Sequence, residues 1–184
     1  MAPQQTPNEA TLYEAALSYL ARYATTELRL RQVLERRIDR WRRSVEDSET
    51  ADSVAVAARS AIAGVIARVV ALGVVSDTEF AQSRARAMAR AGRSSRAVAA
   101  NLAARGVNAE TARAAIEANE TSELDAAVML TRKRRIGAFR DGDPGDRNRE
   151  LGVMARAGYP RDVAIKALEM DRDTAETLIA DLRR

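Results

Sequence analysis

Residues 106–117 read GVNAETARAAIE, and residues 158–169 read GYPRDVAIKALE. The two stretches align without gaps at a spacing of 52 residues. Both run glycine, large apolar residue, two spacers, acid, spacer, alanine, two spacers, alanine, branched apolar residue, glutamate. The alanines and the branched residue recur at helical spacing, which predicts one helix in each copy. Self-similarity at this period is typical of a helical repeat protein.

A fainter third copy extends the pattern towards the start of the chain. Thr26, Leu30 and Leu34 pair in spacing with Ser94, Val98 and Leu102. Three-helix units of roughly fifty residues, joined in series, explain all three copies. The sequence therefore predicts an all-α fold of tandem three-helix repeats, stacked into an elongated, curved array with a concave surface for a partner.

Helix ends can be predicted from capping residues. The stretch 76–79 reads as a capping box, 122–125 resembles one, and Asp143-Pro144 places a cap before a proline. Gly92, Gly106 and Gly158 follow helical stretches, as left-handed C-terminal caps do. The predicted helices are 9–22, 26–44, 54–72, 77–91, 95–105, 109–118, 122–138, 144–157, 161–169 and 172–182. Residues 42–53 are polar and predict an exposed connection.

Composition argues against several classes of enzyme. The chain has no cysteine and no histidine, so a thiol nucleophile, a structural zinc site and the commonest general base are missing. We therefore expect no catalytic residue, cofactor or metal, although carboxylate or magnesium chemistry stays open as a rival. The apolar run from Val54 to Val75 contains Arg59 and Arg68, which favours a buried helix over a membrane span. With no signal-peptide pattern at Met1–Asn8, we expect a cytoplasmic protein.

Positive charge is concentrated in the middle of the chain. Residues 53–118 hold 9 arginines and 4 acids, for a net charge of +5, whereas residues 1–52 hold 8 arginines and 9 acids, for −1. Arg86, Arg90 and Arg93 share one helix face, opposite Phe80, Met88 and Ala91. Such a face can bind phosphates or an acidic protein surface, or it can be merely solvated. The candidate contacts in this stretch are Arg84, Arg86, Arg90, Arg93 and Arg96.

Arg84 projects near the apolar side of its helix. We expect it either to pair with a buried carboxylate or to reach the edge of the core with its stem packed. A second basic cluster, Arg132, Lys133, Arg134 and Arg135, ends a helix that begins with acids. It either complements the helix dipole or contacts a partner.

Other conspicuous residues have structural explanations. Trp41 and Tyr159 are expected in the core rather than stacked on bases. Asp77 begins a helix, so electrostatic capping is a better account than catalysis. The stretch 141–146 resembles a calcium loop, but Pro144 interrupts it and Gly152 stands where a bidentate glutamate belongs. We predict no metal there.

Several of these blocks together resemble the RecX family, regulators of the RecA recombinase. The resemblance covers most of residues 12–182 and is most specific between Asp77 and Val107. Arg84 and Ser94 depart from it, since the family usually has an aromatic residue and a glycine there. The matching positions, taken as structural, are Leu17, Leu20, Asp77, Phe80, Ala81, Gly92, Val98, Leu102, Gly106, Gly158 and Tyr159.

The resemblance implies a domain layout. It comprises a loose tail at 1–8, a first repeat at 9–76 with an insertion near 38–55, a second repeat at 77–120 and a third at 121–184. Whether the insertion extends a helix or forms a mobile lobe is left open.

The resemblance also implies a function in DNA repair, homologous recombination and the SOS response. The protein would be a monomer that lies in the groove of the RecA filament and restrains its ATPase and strand-exchange activity, with single- or double-stranded DNA as a further contact and no membrane. The rivals are a nucleic-acid-binding protein that acts without RecA and an enzyme that uses carboxylates or magnesium.

Overall fold

The computed structural model describes residues 5–141 and 146–182 of the chain. Within these ranges the protein is all-α, with ten α-helices, one 3₁₀ helix and no strand, which confirms the predicted fold class. That the repeats form an elongated, curved array stays a prediction. The helices are α1 (Glu9–Leu20), α2 (Glu27–Ser44), α3 (Ser48–Ala71), α4 (Asp77–Arg90), α5 (Ser95–Ala103), α6 (Ala109–Glu117), α7 (Glu123–Arg134), the 3₁₀ helix (Gly137–Phe139), α8 (Arg147–Arg156), α9 (Arg161–Glu169) and α10 (Arg172–Asp181).

The chain forms two compact units, Met1–Phe80 and Ala81–Arg184. The core of the first unit lies between α1, α2 and α3 and is made of leucine, isoleucine, valine and alanine. The predicted apolar stripe of α2 faces this core, since Leu30, Leu34 and Ile38 are fully buried and Trp41 nearly so. Of the predicted loose tail, residues 5–8 are described: Pro7 is buried, and Asn8 caps α1 by accepting a hydrogen bond from the Thr11 amide at 2.9 Å.

The predicted exposed connection at residues 42–53 is wrong. Helix α2 continues to Ser44, and α3 already begins at Ser48, so most of residues 38–55, where an insertion is predicted, are helical. Ala51 is buried on the core side of α3, and the polar side chains around it face solvent. The Asp47 carboxylate caps α3, accepting from the Thr50 amide at 3.3 Å. Hydrogen bonding from Thr50 lowers the pKa of Asp47, and the ion pair with Arg42 lowers that of Asp52.

Helix α3 is a core helix with one exposed side. By length and composition alone, its segment Glu49–Ala71 could cross a membrane. However, Ile62, Val65 and Val69 pack in the core of the first unit. Both of its arginines are engaged within that unit. Arg59 Nη2 lies 2.6 Å from Asp39 Oδ1, and the Arg68 guanidinium lies 4.1 Å from the centre of the Tyr13 ring.

The 52-residue sequence repeat is also a structural repeat in the second unit. Gly106 and Gly158 both have a positive φ, of 86° and 92°, as predicted for left-handed caps. The residue after each glycine is buried and donates its amide to the carbonyl five residues back: Val107 to Leu102 at 3.2 Å and Tyr159 to Met154 at 3.1 Å. The paired alanines of α6 and α9 are buried. Helices α5 and α8 therefore occupy equivalent places before these turns.

The predicted third repeat contains one helix more than a three-helix unit, since α10 follows α9 and packs against α7. Its first predicted helix, 122–138, ends at Arg134 and is followed by the 3₁₀ turn. The proposed Asp143-Pro144 cap lies outside the described residues. Within them, Asp146 caps α8, accepting from the Asn148 amide at 2.8 Å.

At two helix N-termini, a backbone amide donates a hydrogen bond to a carboxylate from a helix that comes later in the chain. Asp77 Oδ1, at the start of α4, accepts from the Glu27 amide at the start of α2, at 2.9 Å. Glu123, at the start of α7, likewise accepts from the Ser95 amide at the start of α5, at 2.9 and 3.2 Å. The first amides of a helix have no partner inside it, and a carboxylate there also meets the positive end of the helix dipole. We call this arrangement the carboxylate joint.

The turn between α4 and α5 lies directly on the backbone of α7. Gly92 has a φ of 74°, and a Cβ placed on it would lie 2.9 Å from the Leu130 backbone nitrogen. The next serine reaches the turn before α9: Ser94 Oγ donates to the Ala157 carbonyl at 2.7 Å and accepts from the Ala97 amide at 3.3 Å. Only a residue without a side chain fits at Gly92.

We expect Gly92→Ala to lower the free energy of unfolding by about 2–4 kcal/mol. The alanine would have to adopt a left-handed conformation, and its Cβ would overlap the backbone of α7. Urea unfolding followed by circular dichroism measures this change. Gly64→Ala is the control: Gly64 lies inside α3 with nothing within 4 Å of the added Cβ. It should raise stability by about 0.5–1 kcal/mol. Equal effects of the two changes would contradict this account of Gly92.

Removing either carboxylate of the joint should also destabilise the protein. We expect Asp77→Ala and Glu123→Ala each to lower the free energy of unfolding by about 1–2 kcal/mol, because each leaves a helix amide unbonded. Asp77→Asn should retain most of the stability, since its amide oxygen still accepts. Glu79→Ala removes a nearby exposed carboxylate and should cost about 0.3 kcal/mol. The account fails if Asp77→Ala is no more harmful than Glu79→Ala.

Candidate partner-binding surface

The exposed side of α4 carries the predicted cationic face. Arg86, Arg90 and Arg93 are exposed, whereas Ala81, Ala85 and Met88 on the other side are buried. Of the flanking apolar residues, Phe80 is half-buried and Ala91 exposed. Among the described residues, none of the three arginines pairs with an acid. Like charges at this spacing repel one another, so the face is available to an anionic partner.

Arg84 and Arg96 are held differently. Arg84 is half-buried, and its Nε donates to Asn101 Oδ1 at 3.0 Å, an oxygen that also accepts from Arg105 Nε at 3.1 Å. The acceptor for Arg84 is therefore the side-chain amide oxygen of Asn101. The alternative that Arg84 pairs with a buried carboxylate is wrong. Arg96 is exposed on the first turn of α5, with its aliphatic stem beside Gly158.

The cluster at the end of α7 is fully exposed. Arg132, Lys133 and Arg134 form the last turn, and Arg135 follows in the left-handed conformation with a φ of 53°. Only one ion pair involves the cluster within the described residues. Arg135 Nη1 lies 3.6 Å from Asp141 Oδ2, with both side chains more than 70% exposed, so the pair contributes little stability. The three cations in the last turn also stabilise α7, because they lie at the negative end of its helix dipole.

A cleft opens between the end of α7 and α8, with a volume of about 640 Å³. We call it the arginine cleft. Two of the predicted contact residues, Arg93 and Arg134, line it. Three further arginines line it that were not among the predicted contacts. They are Arg140, Arg149 and Arg156.

A useful sequence signal was nevertheless present, since Arg149 and Arg156 are seven residues apart and must share a helix face. It was hidden by the net charge of residues 119–184, which is zero, with 13 basic and 13 acidic groups.

The first unit contains another basic groove, between α1 and α2, with a volume of about 450 Å³. Arg36, Arg37 and Arg40 line it from α2, and Tyr19 lines it from α1. The Tyr19 ring lies 5.0 Å from that of Tyr23, centre to centre. We call this the tyrosine groove. Net charge conceals the groove, since residues 1–52 have a net charge of −1, although Arg36, Arg37 and Arg40 share one face of α2.

The other predicted positions serve the fold. The sequence predicts that Asp77 caps its own helix, α4. In the structure its carboxylate accepts from the Glu27 amide, 50 residues earlier, and so it caps α2. Val98 and Leu102 are buried, while Leu17 is 37% exposed and Leu20 half-buried against the core of the first unit. Of the calcium-like stretch, residues 142–145 lie outside the described residues.

Tyr159 is buried, as expected for a core residue. Its hydroxyl has no hydrogen-bond partner, which holds for no other buried side-chain nitrogen or oxygen among the described residues. Burial raises the pKa of the Tyr159 phenol far above its usual value; the charge of Glu123 adds to this shift and that of Arg93 opposes it. The ring therefore stays neutral at physiological pH.

Comparison with known proteins agrees with the resemblance seen in the sequence. Residues 76–116 match the family model described as RecX, second three-helix domain. The chain is 37% identical over 164 residues to "Regulatory protein RecX" of Myxococcus xanthus, covering 86% of this chain and 84% of that protein. It is 32% identical over 171 residues to the protein of the same name from Agrobacterium fabrum, covering 91% and 86%.

A solved structure shares the fold. The crystal structure of RecX from Lactobacillus salivarius superposes with a TM-score of 0.58 at 20% identity, covering 95% of this chain and 96% of that one. This supports the helical repeats of the fold. On the level of identity to the curated relatives, and the length over which it extends, this chain belongs to the RecX family of regulatory proteins.

Proposed function

We propose that this protein binds the filament that RecA forms on DNA and lowers its ATPase and strand-exchange activity. The observation that carries the proposal is the 37% identity to a curated RecX regulator over 84% of that protein. The names of the relatives describe regulation, in keeping with a protein that acts by binding and not by catalysis. We further propose that it acts in the cytoplasm as a monomer.

The exposed cations are the proposed contacts. A nucleoprotein filament is rich in negative charge, so arginines without acidic partners gain favourable interactions on binding it. On α4 and in the turn after it these are Arg86, Arg90 and Arg93, and on α7 they are Arg132, Lys133 and Arg134. Arg84 contributes to the packing of α4 on α5 through Asn101, so we leave it out of the proposed contact surface.

The proposal is tested by ATP hydrolysis by RecA on single-stranded DNA, with increasing amounts of this protein. We expect the rate to fall to a plateau, because a bound regulator holds the filament in one conformation. The variant in which Arg86, Arg90 and Arg93 are all changed to Gln should need roughly tenfold more protein for the same effect, since it loses three charged contacts.

The matched control changes three exposed cations of the same unit, Arg113, Arg161 and Arg172, to Gln. It should act like the unchanged protein if the α4 face makes the contact. No effect of the unchanged protein at saturation would refute the regulatory proposal. Equal loss in the two triple variants would refute the assignment of the contact to α4.

A second candidate function, direct binding of single-stranded nucleic acid, is favoured by the tyrosine groove. Arginines along one wall can follow a phosphate backbone, and a tyrosine beside them can stack on a base. Arg36, Arg37 and Arg40 have no acidic partner within the described residues, since the Asp39 carboxylate between them pairs with Arg59. This activity would act without RecA, or alongside it.

Binding of a labelled oligothymidylate at several salt concentrations tests the second candidate. Changing Arg36 and Arg40 together to Gln should reduce the slope of log affinity against log salt by about 1.4, because two phosphate contacts are lost. Arg113→Gln with Arg161→Gln is the control, since these two exposed arginines remove the same charge and lie outside the groove. An equal slope change in the two double variants would exclude the groove.

A further inference from the structure

The arginine cleft holds more positive charge than its own acids can neutralise. Three acids line it within the described residues: Asp141, Asp146 and Glu150. Glu150 is buried and accepts two hydrogen bonds from Arg140, at 2.9 and 2.7 Å. Asp146 Oδ1 accepts from two amides of α8, and Asp141 lies near Arg135 on its outer side. Each acid therefore already has a partner.

Four guanidinium groups remain. Arg93, Arg134, Arg149 and Arg156 are all exposed, and none pairs with an acid in the part of the chain that the structure describes. Arg93 is fixed in the tight turn between Gly92 and Ser94, and the Arg156 guanidinium lies back along α8 over Gly152. Gathering four like charges around one cleft is unfavourable unless an anion binds there.

The spacing of these charges indicates an extended ligand. Arg149 and Arg156 are seven residues apart on α8, so their Cα atoms are separated by about 10 Å along the helix axis. Arg134, at the end of α7, and Arg93, in the turn after α4, also line the cleft. Because the four arginines come from two helices and a turn, a ligand with several negative charges can pair with more of them than a single small anion can.

The apolar part of the cleft indicates which polyanion fits. Four apolar side chains line it, and no aromatic ring does so among the described residues. Bases of a nucleic acid bind through stacking on aromatic rings, which are missing here, and a phosphate backbone gains nothing from an apolar surface. A peptide with acidic and apolar side chains satisfies both parts of the cleft. The apolar residues are Leu130, Ile136, Val153 and Ala157.

We propose that the arginine cleft is a docking site for an acidic, amphipathic peptide segment of a partner protein. Carboxylates of the segment pair with the four free arginines, and its apolar side chains cover Val153 and Ile136. This goes beyond the proposed function, because it holds whichever protein is regulated and names a cleft that shares only Arg93 and Arg134 with the contacts proposed above.

Fluorescence anisotropy with a labelled peptide that repeats Glu-Glu-Leu-Leu three times tests the proposal on the full chain. We expect saturable binding that weakens by roughly tenfold or more when Arg149 and Arg156 are both changed to Gln, since two charge-assisted contacts are lost. Changing Arg113 and Arg161 to Gln removes the same charge elsewhere and should leave binding unchanged. Val153→Asn should weaken binding several-fold without altering net charge.

Matched probes identify the ligand class. The same peptide with Gln in place of Glu, or with Ser in place of Leu, should bind at least about tenfold more weakly, because each loses one half of the interaction. The proposal is overturned if the unchanged protein does not bind the acidic peptide at about 1 mM, or if the Gln peptide binds as well. It is also overturned if an oligothymidylate binds more tightly and depends on Arg149 and Arg156.

Self-association would overturn the proposal as well. The chain has its own acidic stretch around Glu46–Asp52, which could occupy the cleft of a second copy. Analytical ultracentrifugation should therefore show a monomer, both before and after Arg149 and Arg156 are changed. A dimer that dissociates in this variant would assign the cleft to self-assembly.

Discussion

The carboxylate joint is the interaction on which the arrangement of each unit depends. Thr26 and Ser94, the residues that cap α2 and α5, are fully buried, and the first amides of both helices donate to acceptors of the protein. Thr26 and Ser94, the N-cap residues, supply one acceptor each. Asp77 and Glu123 supply a second acceptor from the helices α4 and α7, which come later in the chain. In the second unit the joint acts with the contacts of Gly92 on Leu130 and of Ser94 on Ala157. Together they fix the turn that carries Arg93, and so they place one wall of the arginine cleft.

Local features of the sequence were sufficient to predict most of the fold. Each glycine predicted as a cap has a positive φ, because a left-handed residue is a requirement of the turn itself. The sequence does not predict the start of α3, because its residues are mostly polar and the burial of Ala51 in a core leaves no local pattern. The sequence predicts Asp77 as a cap, but its partner amide lies 50 residues away, and no local pattern records that distance.

The candidate surfaces were harder to predict, for a reason of geometry. Net charge over a stretch of sequence adds together side chains that a helix sends in opposite directions. Residues 1–52 and 119–184 have net charges of −1 and 0, yet one contains the tyrosine groove and the other most of the arginine cleft. The acids of these stretches are engaged elsewhere: Asp39 with Arg59, Glu150 with Arg140, and Asp146 with the start of α8. Only the three-dimensional structure separates engaged charges from free ones.

The carboxylate joint also has a consequence for the order in which the chain matures during synthesis. Helix α2 begins at residue 27 but receives its last acceptor from residue 77, and α5 receives its own from residue 123. At a translation rate of 5–20 residues per second, the ribosome needs about 3–10 s to reach Asp77 after Glu27 has been added. The N-terminus of α2 is therefore fully hydrogen-bonded only after Asp77 has been added, and that of α5 only after Glu123. A nascent chain that stalls between Glu27 and Asp77 leaves α2 without this hydrogen bond.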